Sequence, residues 1–248
     1  MMFSKTHTKY IQSLHHKKFR DEFGVFIAEG TKVVMELLDS REFVCKEIFA
    51  LPEWIRANVN ITVKYSIGAV VEVKDFELGK ISALSTPNKV LAIFEKKKDL
   101  STANFRNKIT LVLDTIQDPG NLGTIIRIAD WFGVDNIICS SGCADMYSPK
   151  VVQSTMGSLA RVNIIYTDIA EWINDHADIM IYAATMNGKD VRTLSKIKEG
   201  VIIIGNEGKG INDEILSLAK ENITIPKMGE AESLNAAVAT GIILSHVS

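Results

Sequence analysis

Three loops of this 248-residue chain carry more Gly, Pro and short polar residues than turns alone require. The first, TIQDPGNLGTIIRIADWFG at 115–133, holds Asn121 and, six residues later, Arg127. Six residues is near two helical turns, so whether the pair shares a face depends on the loop. Asp118-Pro119-Gly120 reads as a tight turn, Asn121 as a cap for the following helix and Gly133 as its end. The second loop, IIIGNEGKGIND at 202–213, places Glu207 among Gly205, Gly208 and Gly210. Such glycines let the backbone approach a ligand closely and present amides toward a helix start. The third, ITIPKMGEAESLNAAVATG at 223–241, runs from a buried strand through a polar loop into a small-residue helix. There Ser233 reads as the N-cap and Asn235 as a first-turn residue.

The chemistry on offer is a ligand gripped by backbone groups beside a carboxylate, a guanidinium and carboxamides. Taken singly, the same residues read equally as helix caps (Asn121, Ser233, Asn235), a surface ion pair (Arg127) and an exposed charge (Glu207). The glycine loop is neither a P-loop, since no GK[ST] follows at the required spacing, nor GxGxxG. That argues against an enzyme of nucleotide phosphates.

The elements that must position these loops alternate regularly. From Ile109 onward strands are expected at 109–114, 136–140, 162–166, 179–185, 201–205 and 223–226, and helices at 122–132, 149–159, 169–177, 211–219 and 234–246. Continuously apolar strands such as LVLD and VIIIG suit a parallel sheet covered by helices on both faces, where ligands bind outside the carboxyl ends of the strands. Upstream, strands at 25–28, 44–51, 61–65 and 90–94 alternate with helices at 32–38, 52–58 and 73–84, a small α/β layered domain. The polar stretch EKKKDLSTANFRNK separates the two, which gives domains at 1–98 and 109–248 with a linker at 99–108.

The composition, 46% apolar and 23% charged, is that of a globular protein, and no apolar run is long enough to span a bilayer. No apolar segment follows the first charges, so a cytoplasmic protein is expected. Three cysteines without CxxC spacing disfavour a disulfide framework and a zinc site, and are read as buried thiols. Charge is uneven. Residues 1–106 hold 17 Lys+Arg against 13 Asp+Glu, net +4, and residues 107–248 hold 11 against 17, net −6. Lys5, Lys9, Lys17, Lys18 and Arg20 lie within the first twenty residues with no acid among them, which reads either as a patch for a polyanion or as a solvated, frayed terminus.

Together, QDPGNLGTIIRIADWFGVD, IIIGNEGKGI and IPKMGEAESLNAAVATG resemble the three ordered motifs of the SpoU (TrmH-type) RNA 2′-O-ribose methyltransferases of the SPOUT class, over essentially all of residues 109–248. KTHTKYIQSLHHKKFRDEFGVFIAEGTKVVMELL is similar to the substrate-binding domain, related to RNA-binding ribosomal proteins, that precedes the catalytic domain in many members. The resemblance implies a C-terminal trefoil knot, S-adenosylmethionine as methyl donor, no metal, and a homodimer with active sites near the subunit interface. It implies catalytic roles for Asn121, Arg127, Glu207, Ser233 and Asn235. Gly205, Ile225 and Leu234, with Thr185 in addition, fall where the family holds the methyl donor. Lys9, Lys17, Lys18 and Arg20 would contact RNA, ribosomal RNA in preference to transfer RNA, and DNA is excluded because it lacks the reacting 2′-hydroxyl. A transfer-RNA enzyme, or an RNA-binding protein that has lost catalysis, is the alternative. Two positions depart from the pattern: Lys227, after Ile-Pro, where many members are apolar, and Gln153, where many have Arg.

Overall fold

The computed structural model describes residues 3–65, 67–97 and 103–248, so residues 99–102 of the expected linker lie outside the described residues. Along the chain run α1 (Lys5–Ser13), α2 (Lys17–Phe23), β1 (Val25–Glu29), α3 (Thr31–Ser40), β2 (Cys45–Ala50), α4 (Pro52–Ala57), α5 (Ile61–Tyr65), β3 (Ala69–Glu72), α6 (Asp75–Ile81) and β4 (Val90–Glu95). There follow β5 (Ile109–Leu113), α7 (Pro119–Trp131), β6 (Asn136–Cys139), α8 (Pro149–Thr155), β7 (Asn163–Tyr166), α9 (Ile169–Asp175), β8 (Ile181–Asp190), β9 (Gly200–Ile204), α10 (Asp213–Ser217), β10 (Glu221–Thr224) and α11 (Ala236–Val247).

These elements form two compact units. One comprises residues 1–98 with 145–160, the other residues 99–144 with 161–248. Residues 145–160, which carry α8, therefore pack with the N-terminal unit although the sequence reading placed them in the C-terminal one.

In the first unit a four-stranded sheet has the order β1-β4-β2-β3, antiparallel except for the parallel β2–β3 pair. Ile11 and Leu14 from the first helix are buried against Val25, Ile27, Phe49, Leu91 and Ile93, so the basic N-terminus is folded structure rather than a frayed end. Residues 61–65, expected as a strand, form α5. The Ile61 amide bonds to the Asn58 carbonyl and the Lys64 amide to the Asn60 carbonyl, continuing the helical path of the preceding turn, and the sheet takes β3 instead. Five residues are too few to separate a period of two from one of 3.6.

Arg20 is the buried charge of this unit. Its side chain is 3% exposed; Nη1 donates to the carbonyls of Leu14 and His15, both at 2.9 Å, and Nη2 to Asp145 Oδ2 at 2.6 Å. It thus closes the carboxyl end of α1 and ties α2 to the 145–160 segment. It does not belong with the lysines expected to contact RNA, because its donors are consumed inside the fold. Removing one member of a buried pair leaves the other charge unpaired, at a cost of about 3–5 kcal/mol. Arg20→Leu is accordingly expected to lower the unfolding free energy by about 3 kcal/mol, Asp145 being slightly accessible. Urea denaturation that moved by less than about 1 kcal/mol would show the pair to be dispensable.

The second unit is a six-stranded sheet, β10-β8-β9-β5-β6-β7, parallel throughout. Val112, Ile138, Ile181, Ala183, Val201 and Ile203 pack with Ile169, Trp172 and Ile173 of α9 and Ile215 of α10. Leu111, Leu113, Ile137, Ile202 and Ile204, alternating with them, are equally buried on the opposite face, as expected for a parallel sheet covered on both sides. β5, β6, β7 and β9 agree with expectation to within a residue at each end, whereas β8 begins two residues late and runs on to Asp190, and β10 begins and ends two residues early. Among the described residues no helix is long and apolar enough to cross a membrane, and no cluster of three or more His, Cys, Asp or Glu is arranged to hold a metal ion.

Candidate active site

The site forms where β5, β9 and β10 end. β5 and β9 are neighbours in register, Leu113 opposite Ile204, so the loops that follow them leave the sheet side by side. The first runs into α7, whose start differs from the expected one. Asp118 is the N-cap, its carboxylate accepting from the Asn121 amide at 2.9 Å, and Pro119 occupies the first turn, where its missing N–H costs nothing. Asp118-Pro119-Gly120 is thus the cap and opening turn of α7, not a separate turn. Asn121, relieved of capping, turns its side chain to the neighbouring loop. Gly133, in the left-handed region at φ 70°, follows the helix end as expected.

The start of α11 is shifted in the same sense. Asn235, not Ser233, is the N-cap, its Oδ1 accepting from the amides of Ala237 and Val238 at 3.0 and 3.2 Å. Ser233 is exposed in the loop before it.

Three of the five expected catalytic side chains meet at one oxygen. Glu207 Oε1 accepts from Asn121 Nδ2 at 2.6 Å, Asn235 Nδ2 at 2.8 Å and the Ala236 amide at 3.2 Å. Asn235 Nδ2 also donates to Asn121 Oδ1 at 2.9 Å. The donors fix the orientation of both carboxamides, since only their nitrogens can face a carboxylate. Glu207 sits at the positive end of α11, where a carboxylate gains about 0.3–1 kcal/mol. Each contact crosses between loops that are far apart in sequence. Glu207 is therefore a junction for all three rather than a free base.

Arg127 and Ser233 are not part of this junction. Arg127 is exposed on α7, and no hydrogen bond or ion pair to it occurs among the described residues. It is thus available to a ligand.

Of the expected cofactor residues, Gly205 and Ile225 follow the ends of β9 and β10, whereas Thr185, expected to end its strand, lies within β8. Ala183 of β8 lies opposite Ile203 of β9 and Asn222 of β10, which puts Thr185, Gly205 and Ile225 two or three residues further along three neighbouring strands. The β8–β10 register then shifts, and Thr185 Oγ1 donates to the Asn187 carbonyl at 2.6 Å. Leu234 is half-exposed, just ahead of Asn235. The backbone amides from Lys227 to Asn235 make no hydrogen bond among the described residues. Unpaired amides beside apolar Ile225 and Leu234 suit an uncharged adenosine ring, which needs a few donors and an apolar wall.

Sequence reasoning passed over Asn206 and Asp114. Asn206 pairs its backbone with Gly210 at 2.9 and 2.8 Å, and its Oδ1 accepts from the amides of Gly208 and Lys209. Asp114, buried at the end of β5, accepts from the Asn212 amide at 2.8 Å. Both were legible as short polar residues at strand ends, but nothing in the sequence gave their partners. Cys143 also departs from expectation. Cys45 and Cys139 are buried, and burial pushes the Cys45 thiol up to about 12, but Cys143 is only partly buried. Its thiol is lowered to about 7, first by a hydrogen bond from Cys139 and then, against burial, by the Ile116 amide and the Ser140 hydroxyl.

A groove of about 360 Å³ opens next to the junction, between Asn121, Thr124 and Ile128 of α7 and Val238, Gly241 and Ile242 of α11. Ala236 and Ala237 are buried in the unit's interior, while Ala239 and Gly241 are half-buried, so the small residues of this helix serve both a crowded core and an open face.

Residues 108–245 match the model of the SpoU rRNA Methylase family, and residues 5–92 that of the MRM3-like substrate binding domain. The chain is 28% identical to the 23S rRNA (guanosine(2553)-2′-O)-methyltransferase RlmP of Bacillus subtilis, over 95% of this chain and 93% of that protein. Among solved structures, the AdoMet-bound rRNA methyltransferase from Sinorhizobium meliloti is 34% identical, with a TM-score of 0.88 over 99% of this chain and 96% of that one. The SpoU methyltransferase AviRb from Streptomyces viridochromogenes, in complex with AdoMet, has a TM-score of 0.85 over 98% and 97% of the two chains; at 23% identity it speaks to the fold alone.

Proposed function

The chain belongs to the SpoU rRNA methylase family, and from that premise we propose that it transfers a methyl group from S-adenosylmethionine to a ribose 2′-hydroxyl of RNA, with ribosomal RNA as the substrate class. The observation that carries this reading is the convergence of Asn121, Glu207 and Asn235, one residue from each loop, at a single carboxylate oxygen. Gly205, Ile225 and Leu234, with Thr185, would hold the methyl donor through backbone groups and apolar contact. When bound, S-adenosylmethionine supplies an electrophilic methyl on a sulfonium.

The work of the protein's own residues is positioning. In-line displacement needs the ribose oxygen aligned with the methyl group, and orientation of this kind accounts for much of an enzyme's rate. A guanidinium carries five N–H donors and no acceptor, so Arg127 serves as a clamp. Its planar guanidinium holds a phosphate next to the reacting nucleotide and polarises the 2′-hydroxyl, whose proton leaves to that phosphate or to solvent. Asn121 and Glu207 shape the ribose side of the site from the junction, Asn235 holds the third loop, and Ser233, exposed in that loop, contacts substrate.

The proposal includes the C-terminal knot, a homodimer and a cytoplasmic location. In support of the knot, β10 is an edge strand, yet the chain leaving it returns across the strand ends to reach Glu207 and Asn121. In support of the dimer, Val238 is exposed on the α11 side of an apolar groove.

In the N-terminal unit Lys9, Lys17 and Lys18 are exposed, Lys17 pairing with Asp21 at 2.6 Å. Lys9 and Lys18 would be the freer phosphate contacts. Lys9→Gln combined with Lys18→Gln is expected to weaken RNA binding without changing site preference. The dependence of log K on log salt would become shallower by about 1.4, two contacts at about 0.7 each for single strands. An unchanged slope in a titration from low to moderate salt would remove both lysines from the interface.

The function itself is tested by incubating the protein with S-[methyl-³H]adenosylmethionine and separate pools of unmodified rRNA and tRNA, followed by nucleoside analysis. Label in a 2′-O-methyl nucleoside of rRNA is the expected result. Label in tRNA alone would correct the substrate class, and label in neither, with the donor bound, would mean an RNA-binding protein without the chemistry.

A further inference from the structure

Both ends of the glycine loop that carries Glu207 are tied to two residues at the end of β5. Asp114 Oδ2 accepts from the Asn212 amide at 2.8 Å at the far end. At the near end Asn206 Nδ2 donates to the Thr115 carbonyl at 2.9 Å. Thr115 stands in the left-handed region at φ 60°, an uncommon place for a β-branched residue. Three contacts hold it there. Its amide donates to Ser140 Oγ at 2.9 Å, its hydroxyl to Asp114 Oδ1 at 2.8 Å, and its methyl group packs where a side chain at Gly142 would have to go, 3.1 Å from that Cβ position. Strain retained against a cluster of restraints marks a conformation that the surroundings impose, and such conformations gather at functional sites. Here the unusual backbone turns a carbonyl toward Asn206.

Asn206 spends its whole side chain on this loop. Its oxygen closes the turn on the amides of Gly208 and Lys209 at 2.9 and 3.1 Å, and its nitrogen anchors that turn to Thr115. Glu207 is the next residue, and its carboxylate must arrive within hydrogen-bonding distance of Asn121 and Asn235 together. We propose that Asn206, anchored on the left-handed Thr115, is a positioning residue for methyl transfer, which sets the 205–210 turn and through it the place of Glu207. This rests on the proposed methyltransferase reading of the same site. The two functions of the side chain are separable: Oδ1 shapes the turn, Nδ2 places it.

Two variants distinguish them. Asn206→Ala removes both. Asn206→Asp keeps an acceptor for Gly208 and Lys209 but sets an oxygen against the Thr115 carbonyl. Hydrogen exchange in protein without S-adenosylmethionine should rise at Gly208 and Lys209 in Asn206→Ala, by about tenfold or more, and stay near the parent in Asn206→Asp. In both variants kcat at saturating S-adenosylmethionine should fall by about tenfold or more while KM for RNA holds within about threefold, because misplacement near 1 Å is costly to the chemical step. Should Asn206→Ala fail to fold, Asn206→Asp carries the test, since its turn retains both amide bonds. The proposal is overturned if kcat stays within about twofold of the parent in the folded variants, or if it falls only in proportion to the folded fraction seen by circular dichroism. A parent protein that methylates no RNA would overturn the reading beneath it, and that is seen before any variant is made.

Discussion

Gly205→Ala is expected to abolish binding of S-adenosylmethionine and to destabilise the C-terminal unit. A Cβ on Gly205 would lie 2.4 Å from the Gly210 carbonyl carbon, 2.5 Å from the Ile211 nitrogen and 2.6 Å from the Gly210 oxygen. All three are backbone atoms, so no side chain can swing away. The loop that would have to open is closed by the paired backbones of Asn206 and Gly210 and tied down at Thr115 and Asp114. Forcing a methyl group into such a place costs about 1–3 kcal/mol even in cores that can relax, and this one has little room to do so. Displacing the loop would also carry Glu207 away from Asn121 and Asn235, and move the backbone proposed to hold the cofactor. Titration calorimetry should detect no binding, and urea denaturation should show a loss of about 2 kcal/mol or more. Two neighbours serve as controls. A Cβ at Gly208 would meet nothing closer than Asn206 Oδ1 at 3.6 Å, and one at Gly210 nothing within 4 Å, though Gly210 sits at φ 72°. Gly208→Ala should be close to neutral and Gly210→Ala should cost about 1–2 kcal/mol from the left-handed backbone. Equal effects at all three positions would mean that the loop is merely intolerant of substitution, and the steric account would fail.

The sheet was legible in the sequence because its strands are buried on both faces. LVL, IIC and VIII are apolar without alternation, and that pattern has few readings other than a parallel sheet. The site residues were legible as types but not as roles. Asn121 and Asp118 are both good caps, as are Ser233 and Asn235, and local sequence cannot choose within either pair. The choice is made in three dimensions: Glu207 binds the side-chain nitrogens of Asn121 and Asn235, and Asn235 Oδ1 is left facing the first amides of α11. Arg20 failed as an RNA contact for a related reason. Its neighbours Lys17 and Lys18 are exposed and it looks like one of a basic run, but its acid, Asp145, is 125 residues away. The same separation hid the membership of residues 145–160, whose cap at Ser148 and apolar Val151 and Val152 suit a helix in either unit. Local propensity names the element, and only long-range pairing names its neighbours.

Arg127→Lys should reduce methyl transfer by about 10²-fold, a loss of the size seen when one preorganised donor is removed from a charge-developing site. The substitution keeps the positive charge and the helical position, so a general electrostatic role would survive it. What lysine lacks is the planar fork that grips two phosphate oxygens at once, and the spare N–H that can reach the ribose hydroxyl while the others hold. Arg127 is suited to that use because it lies on the exposed face of α7 with no acid paired to it among the described residues, whereas Arg161 donates to Asp130 and Arg192 to Asp190. An arginine with no partner among the described residues, on a helix that also presents Asn121 to the junction, is open to a ligand. RNA affinity should fall much less than kcat, since the N-terminal unit is proposed to supply most of the phosphate contacts and lysine still supplies one charge. The two effects separate in single-turnover kinetics with saturating S-adenosylmethionine, where RNA concentration gives the affinity and the plateau gives the rate. If Arg127→Lys turned over near the parent rate with unchanged RNA affinity, a single positive charge would suffice and the bidentate clamp would be wrong.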